Sequence, residues 1–202
     1  MNPAYFLTIF ISAVFINNVI LSRFLGICSF IAISKETRPA LAMSLAVMFV
    51  TTMSSIITWL IYRFLLIPFN MTYLRTISFI LVIATFVQLV EMVIRKFAPA
   101  LYRFFGIYLP LITVNCAVLG VAVLNSDMFF PDGKSMAGSF LYSTFQGICA
   151  GLGYLLAMLL MSAIRERLEL CNVPKALKDF PLGFIIASIM SLSFMGFNGF
   201  KF

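Results

Sequence analysis

The four cysteines carry the clearest potential for metal or redox chemistry in this chain, because the sequence has no histidine. Cys28, Cys116, Cys149 and Cys171 lie far apart and form no C-x-x-C pair, which argues against a zinc knuckle or a thioredoxin-type site. Thiolates without histidine neighbours suit a soft metal ion or an iron–sulfur cluster. For any single cysteine in an apolar segment, the alternative is a small buried side chain.

Cys28 and Cys116 share a setting that the other two cysteines lack. Each follows polar or helix-breaking residues within an otherwise apolar stretch, and close to half of the chain separates them. Two thiolates are half of the usual four-cysteine ligand set of an iron–sulfur cluster. Either a second subunit supplies the other pair, or Cys149 joins them.

The segments that must position these cysteines have the composition of a membrane protein. Hydrophobic residues make up 62% of 202 residues, charged residues only 10%, and the mean hydropathy is +1.08. A soluble domain of this length carries about 25% charged residues. The net charge of +7 comes from basic residues that stand singly between apolar runs. We therefore expect contact with lipid headgroups and no nucleic acid. The sequence contains no nucleotide-binding fingerprint and no flavin attachment motif, so we expect this chain to bind neither NAD nor flavin.

A helix needs about 20 apolar residues to cross the hydrocarbon of a bilayer. The chain has six apolar runs of suitable character, which predicts an all-α integral membrane protein with six transmembrane helices. The predicted spans are residues 5–34, 39–62, 76–90, 104–126, 135–164 and 180–200.

Lysine and arginine predict which side each loop faces. The loops after the first, third and fifth spans hold ten of these residues, and the opposite side holds four. Loops rich in Lys and Arg stay in the cytoplasm, so both termini are predicted to be extracytoplasmic. The segment from Asp127 to Lys134 is predicted to be a short outward turn, with Asp127, Asp132 and Gly133 in it. Residues 165–167 and 175–179 are predicted to form a mixed-charge cytoplasmic loop, either solvated or a docking face for a soluble subunit.

The first and fourth spans are interrupted in a similar way. Irregular backbone at membrane depth is tolerated only where protein or a cavity covers it. Interruptions in spans one and four indicate two inverted three-helix repeats, at about 1–100 and 101–202 of a single membrane domain, with a site near the midplane. The alternative is that glycine and proline only allow close helix packing, as Gly147 and Gly151 are expected to do in the fifth span. The interrupting residues are Asn17, Asn18, Arg23 and Gly26 in the first span, and Gly106, Pro110, Asn115 and Gly120 in the fourth.

Several long strings resemble one known family. The segment 17–28 (NNVILSRFLGIC) and the segment 109–120 (LPLITVNCAVLG) resemble the two signatures of the A subunits of Rnf complexes. Shorter matches are YLRT at 73–76, AIRERL at 163–168 and MSLSFMGF at 190–197. The resemblance covers essentially the whole chain. The related subunits of the sodium-pumping NADH:quinone oxidoreductase are similar but one step further away.

This resemblance implies a subunit of an ion-translocating ferredoxin:NAD⁺ oxidoreductase in a bacterial cytoplasmic membrane, with electron flow coupled to Na⁺ or H⁺ transport. It implies an antiparallel pair with the homologous E subunit, within a complex that also contains subunits B, C, D and G. It further implies a [2Fe–2S] cluster between the pair, held by two cysteines from each subunit. On this chain the matching positions are Cys28 and Cys116, whereas Cys149 and Cys171 lie outside both signatures.

Two other functions share the length and hydropathy of this chain. One is a redox-silent six-helix membrane component of a transporter, which would not need a cysteine in each interrupted helix. The other is a passive scaffold, for which both cysteines are replaceable. The iron content of the purified subunit pair separates the first alternative from the cluster hypothesis.

Overall fold

The structure is a computed structural model that describes residues 3–68, 72–97, 111–112, 114–129, 136–169, 171 and 180–196. Within these ranges the chain is helical or in turns, with no β-strand, as the composition predicts. Short π-helical segments span Ser12–Ile16 and Tyr62–Leu66, and a 3₁₀ turn spans Thr72–Leu74. The helices of the described ranges are α1 Pro3–Ile11, α2 Ile27–Ile33, α3 Thr37–Ile61, α4 Arg75–Phe97, α5 Cys116–Phe129, α6 Met136–Glu169 and α7 Phe180–Met195.

Three of these helical segments are long and apolar enough to cross a membrane. They are Thr37–Leu66, Arg75–Val93 and Gly138–Leu168, with 30, 19 and 31 residues. At about 1.5 Å per residue, each approaches or exceeds the roughly 30 Å of a hydrocarbon core. They coincide with the second, third and fifth predicted spans, which confirms apolar helices there. The apolar helices at the other three predicted spans are shorter: Tyr5–Ile16, Cys116–Met128 and Pro181–Met195.

The first predicted span is interrupted, as Asn17, Asn18 and Gly26 indicated. Helical structure ends at Ile16, turns occupy residues 17–26, and α2 begins at Ile27. Gly26 has a φ of 81°, a left-handed conformation that glycine adopts without steric penalty. Phe24 has a φ of 56°, which is strained for a bulky residue and occurs where surrounding structure holds it in place.

In the fourth predicted span, the described helix α5 begins at Cys116, well after the start of the apolar run. Residues 111–112 are helical, Val114 and Asn115 leave the helix, and α5 starts at Cys116. Gly106 and Pro110 lie outside the described residues. The predicted turn at Asp127 is wrong, because α5 continues to Phe129. The Asp127 carboxylate accepts a 2.6 Å hydrogen bond from Arg75 at the start of α4, so an ion pair stabilises this last part of α5. Asp132, Gly133 and Lys134 are not among the described residues.

The chain divides into two units, which are described separately. The first unit contains Met1–Met48 and Cys149–Phe202, and the second contains Phe49–Ile148. Side chains that are fully buried in the first unit include Phe30, Tyr154 and Met158. Phe79 and Val118 are buried in the same way in the second unit.

The G-x-x-x-G pattern predicted close helix packing, and each unit contains one close approach between α3 and α6. In the first unit, a Cβ built on Gly151 would lie 2.8 Å from the Met48 Cα atom. In the second unit, a Cβ on Gly147 would lie 2.6 Å from Ser55 Oγ. Both distances are shorter than real Cβ atoms show, so any larger residue would push the helices apart. The glycines therefore set the spacing of these helices, as small residues do in membrane proteins.

Candidate functional site

Cys28 is the second residue of α2 in the first unit, and its thiol is free and exposed. The neighbouring residue, Ser29, is fully buried and fixes the start of the helix. Its hydroxyl oxygen lies 2.9 Å from the Gly26 carbonyl oxygen, to which it donates, and 2.9 Å from the buried Tyr154 hydroxyl on α6. Adjacent residues of α2 therefore have different roles. Ser29 anchors the helix, and Cys28 points its sulfur away from the packed interior of the unit.

Asn18 organises the turns that lead to Cys28. Its side chain is fully buried, and its Nδ2 atom donates to the Gly153 carbonyl of α6 at 2.9 Å and to the Val14 carbonyl at 3.1 Å. Its Oδ1 atom accepts from the backbone N–H groups of Ile20 and Leu21, at 3.1 and 3.4 Å. A single amide thus satisfies backbone groups that the break in the helix releases. Sequence reasoning had identified Asn18 only as a disruption.

Arg165 contacts the other end of α2, and the prediction that it lies in a loop is wrong. Arg165 belongs to α6 and is only 6% exposed. Its Nη1 atom donates to the Ile31 carbonyl at 2.7 Å and to Ser34 Oγ at 2.8 Å. A cation is favourable at the C-terminal end of a helix, where carbonyl groups lack helical partners. Its charge suggested a loop, but these acceptors allow it to be buried.

Glu166, the next residue along α6, contacts the start of α3. Its Oε1 atom accepts hydrogen bonds from the hydroxyl and the backbone N–H group of Thr37. A carboxylate is favourable at this N-terminal end for the same electrostatic reason that Arg165 is favourable at the end of α2. Arg165 and Glu166, both in the string AIRERL at 163–168, therefore bind the end of α2 and the start of α3 to α6.

Cys116 is the first residue of α5 in the second unit, and its thiol is also free and exposed. The preceding residue, Asn115, is 3% exposed and caps this helix, because its Oδ1 atom accepts the backbone N–H of Ala117 at 3.0 Å. Val114, which precedes Asn115 in the same break, is 72% exposed. Cys116 is thus presented at a fixed helix start beside an exposed apolar residue. The sequence pattern identified Asn115 as a residue that interrupts the fourth span, and the structure gives its Oδ1 atom a capping role.

Cys149 and Cys171 lie in different settings from Cys28 and Cys116. Cys149 is in the middle of α6 and 1% exposed. Cys171 is exposed two residues beyond α6, with its Sγ atom 3.7 Å from the Arg167 carbonyl oxygen. Among the residues that the structure describes, no three Cys, Asp or Glu side chains converge on one point. The two exposed thiols that begin helices after a break are those that the sequence selected.

Comparison with known proteins places this arrangement in a family. A family model described as an Rnf-Nqr subunit, a membrane protein, matches residues 6–201. The chain is 49% identical over 196 residues to the A subunit of the proton-translocating ferredoxin:NAD(+) oxidoreductase complex of Clostridium ljungdahlii, with 97% of each chain covered. It is also 49% identical to the A subunit of the Na(+)-translocating ferredoxin:NAD(+) oxidoreductase complex of Acetobacterium woodii, with 96% of each covered. The same identity and coverage hold for the A subunit of the ion-translocating oxidoreductase complex of Escherichia fergusonii. The chain therefore belongs to the Rnf-Nqr family of membrane subunits.

Proposed function

We propose that this chain is the A-type membrane subunit of an ion-translocating ferredoxin:NAD⁺ oxidoreductase, and that it relays electrons within the bilayer. The observation that carries this proposal is the 49% identity to subunits of that name over 96–97% of their length. The chain would act as one part of the enzyme complex, beside a homologous E subunit in antiparallel orientation and subunits B, C, D and G. It would bind no NAD or flavin itself.

Cys28 and Cys116 would hold one side of a [2Fe–2S] cluster, with two cysteines of the partner subunit on the other side. Both thiols fit this role, since each is free and exposed and follows a break in helical structure. Cys149 fits it poorly, because its side chain is packed inside the first unit. When bound, such a cluster accepts and donates one electron at a time.

The residues around the two cysteines would keep their positions constant while electrons pass. Asn18, Ser29 and Arg165 fix α2 at its approach, its start and its end. Asn115 fixes the start of α5. The N-terminal end of a helix carries a partial positive charge, and at the start of α5 this charge would favour the negative charge of thiolate-bound iron.

Six spans in two inverted repeats remain part of the proposal. The composition of the two units supports it. The first unit contains the interrupted first span and α7, together with the N-terminal part of α3 and the C-terminal part of α6. The second unit contains α5 and α4, with the N-terminal part of α6 and the C-terminal part of α3. Exchanging span one with span four, span two with span five and span three with span six converts the set of helices in the first unit into that in the second. A three-plus-three repeat requires this correspondence.

Cysteine variants in the complex purified from membranes test the relay. Either Cys28→Ala or Cys116→Ala removes a thiolate ligand, so we expect a folded, inserted subunit whose complex lacks the EPR signal of the reduced cluster and the ferredoxin-to-NAD⁺ activity. Cys171→Ala is the matched control for an exposed cysteine outside the signatures. Full iron content and turnover in both Ala variants at 28 and 116 would overturn the relay and favour the transporter component or the scaffold.

A further inference from the structure

A buried cluster of neutral oxygens, which includes neither signature cysteine, joins α3, α5 and α6 in the second unit. Asn125 of α5 is 2% exposed, and its Nδ2 atom donates to Ser55 Oγ at 3.0 Å and to the Ser143 carbonyl at 3.3 Å. Ser55 in turn donates to the Thr51 carbonyl at 2.8 Å. Gly147, one turn from Ser143, leaves the space beside Ser55 Oγ free of any Cβ. Three helices thus place their polar groups around a single amide.

Two oxygens of this cluster have no hydrogen-bond partner among the described residues. They are Asn125 Oδ1 and Ser143 Oγ, and both atoms are fully buried. Exchanging the oxygen and nitrogen of the Asn125 amide would not resolve this, since the Ser143 carbonyl can only accept from the nitrogen and Ser55 Oγ already donates its one proton to the Thr51 carbonyl. Buried oxygens without a donor are uncommon and point to a bound ion or water. Ser54 Oγ, on the same turn of α3 as Ser55, is also buried and has no partner in the described part of the chain.

We propose that this cluster is a binding site for a dehydrated monovalent cation, Na⁺, with Asn125 Oδ1 and Ser143 Oγ among its ligands. Hydroxyl, amide and carbonyl oxygens are the groups that hard cations take from proteins. The side chains named in the cluster include no carboxylate. Asp127, two residues further along α5, is paired with Arg75 and 55% exposed. Neutral ligands in an apolar helix favour a single charge over a divalent ion, and no group of the cluster exchanges a proton near neutral pH.

This inference goes beyond the proposed electron relay and takes from it only that the complex moves a cation. The relatives leave the ion open, because one is named for protons and another for Na⁺ at equal identity. The cluster favours Na⁺ for this chain on the chemistry of its own side chains. Its position in α5, α3 and α6 also allows Na⁺ binding to be measured apart from the cysteines.

Ser143→Ala is the sharpest variant, because it removes one proposed ligand oxygen that forms no hydrogen bond with the described residues. The binding of ²²Na⁺ to the purified whole complex is measured by equilibrium dialysis, and thermal unfolding of the same sample shows that the fold is retained. We expect Ser143→Ala to weaken the binding of one Na⁺ by at least about tenfold. Ser143→Thr keeps a hydroxyl at this position and should retain most of the Na⁺ affinity of the wild type.

Ser162→Ala is the matched control. Ser162 lies on the same helix, is fully buried and has a hydroxyl that is equally unpaired among the described residues, but no second such oxygen accompanies it in the described part of the first unit. Its Na⁺ affinity should equal that of the wild type. Equal Na⁺ binding in Ser143→Ala and wild type would overturn the proposal, and so would a wild-type complex that binds no Na⁺, which would mean an ordered water only. Neither result affects the EPR signal of the proposed iron–sulfur cluster or the test of the electron relay, so the two proposals can fail separately.

Discussion

Replacing Gly151 by alanine tests the packing of α3 against α6 in the first unit. The new Cβ would lie 2.7 Å from Met48 Cγ and 2.8 Å from Met48 Cα, about 0.6 Å inside the 3.4 Å at which ordinary contact begins. The Cγ atom can rotate away, whereas the Cα atom moves only if α3 moves. Overpacking of this kind destabilises by about 1–3 kcal/mol, and a backbone clash belongs near the upper limit. Alanine recovers about 1 kcal/mol of helix propensity. We expect a net loss near 2 kcal/mol, or about 4–8 °C in Tm for a chain of this size.

The assay is thermal unfolding of the detergent-solubilised protein, followed by the fluorescence of its single tryptophan. Trp59 on α3 is suitable because its ring packs edge-on against Phe140 of α6, with centroids 5.0 Å apart. Gly196→Ala is the control, since a Cβ there meets nothing within 4 Å and should change stability by less than about 0.5 kcal/mol. A Gly151→Ala protein as stable as wild type would refute the close approach of the two helices.

Three further predictions concern Arg165, the remaining cysteines and the topology. Arg165→Met should destabilise the chain by about 2–6 kcal/mol in the same assay, since it leaves two buried oxygens at the end of α2 without their charged donor, at about 1–3 kcal/mol each. An unchanged Tm would mean that the guanidinium is dispensable there. Cys149→Ala and Cys171→Ala should keep the iron content and most of the electron transfer of the complex, and loss of iron in the first would reveal a third ligand. A reporter fused at Phe202 should show that the C-terminus is outside the cytoplasm, because the Lys/Arg count predicts that the loops on the other side of the membrane are cytoplasmic. A reporter signal confined to the cytoplasm would contradict the predicted topology.

Local signals were sufficient for the helices and for the breaks in them. An apolar run must form its own backbone hydrogen bonds in hydrocarbon, so hydropathy alone predicts helices such as Thr37–Leu66 and Gly138–Leu168. The same reasoning works in reverse at Asn17, Asn18 and Gly26, which disfavour continued helix and mark the observed turns. The sequence also placed Cys28 and Cys116 directly after such breaks, which the described helix starts confirm.

Charge was a less reliable local signal. Arg165 and Asp127 were predicted outside helices because ionised groups avoid apolar surroundings. Arg165 is nonetheless buried in α6 against the end of α2, and Asp127 extends α5 to reach Arg75. In each case the group that makes the position favourable comes from a distant part of the chain. Composition within a short window contains no information about that partner.

By itself the sequence determined the membrane class, the helix-forming segments, the two signature cysteines and the family. Only the tertiary structure decided which thiols are exposed, how Asn18 and Arg165 fix α2, and that Asn125 meets Ser55 and Ser143. Helix formation depends on neighbours within a few residues, so the sequence encodes it locally. The hydroxyls and the amide around Asn125 are ordinary polar residues in three apolar helices. They become a candidate ion site only because packing brings them together and leaves two of their oxygens without a donor among the described residues.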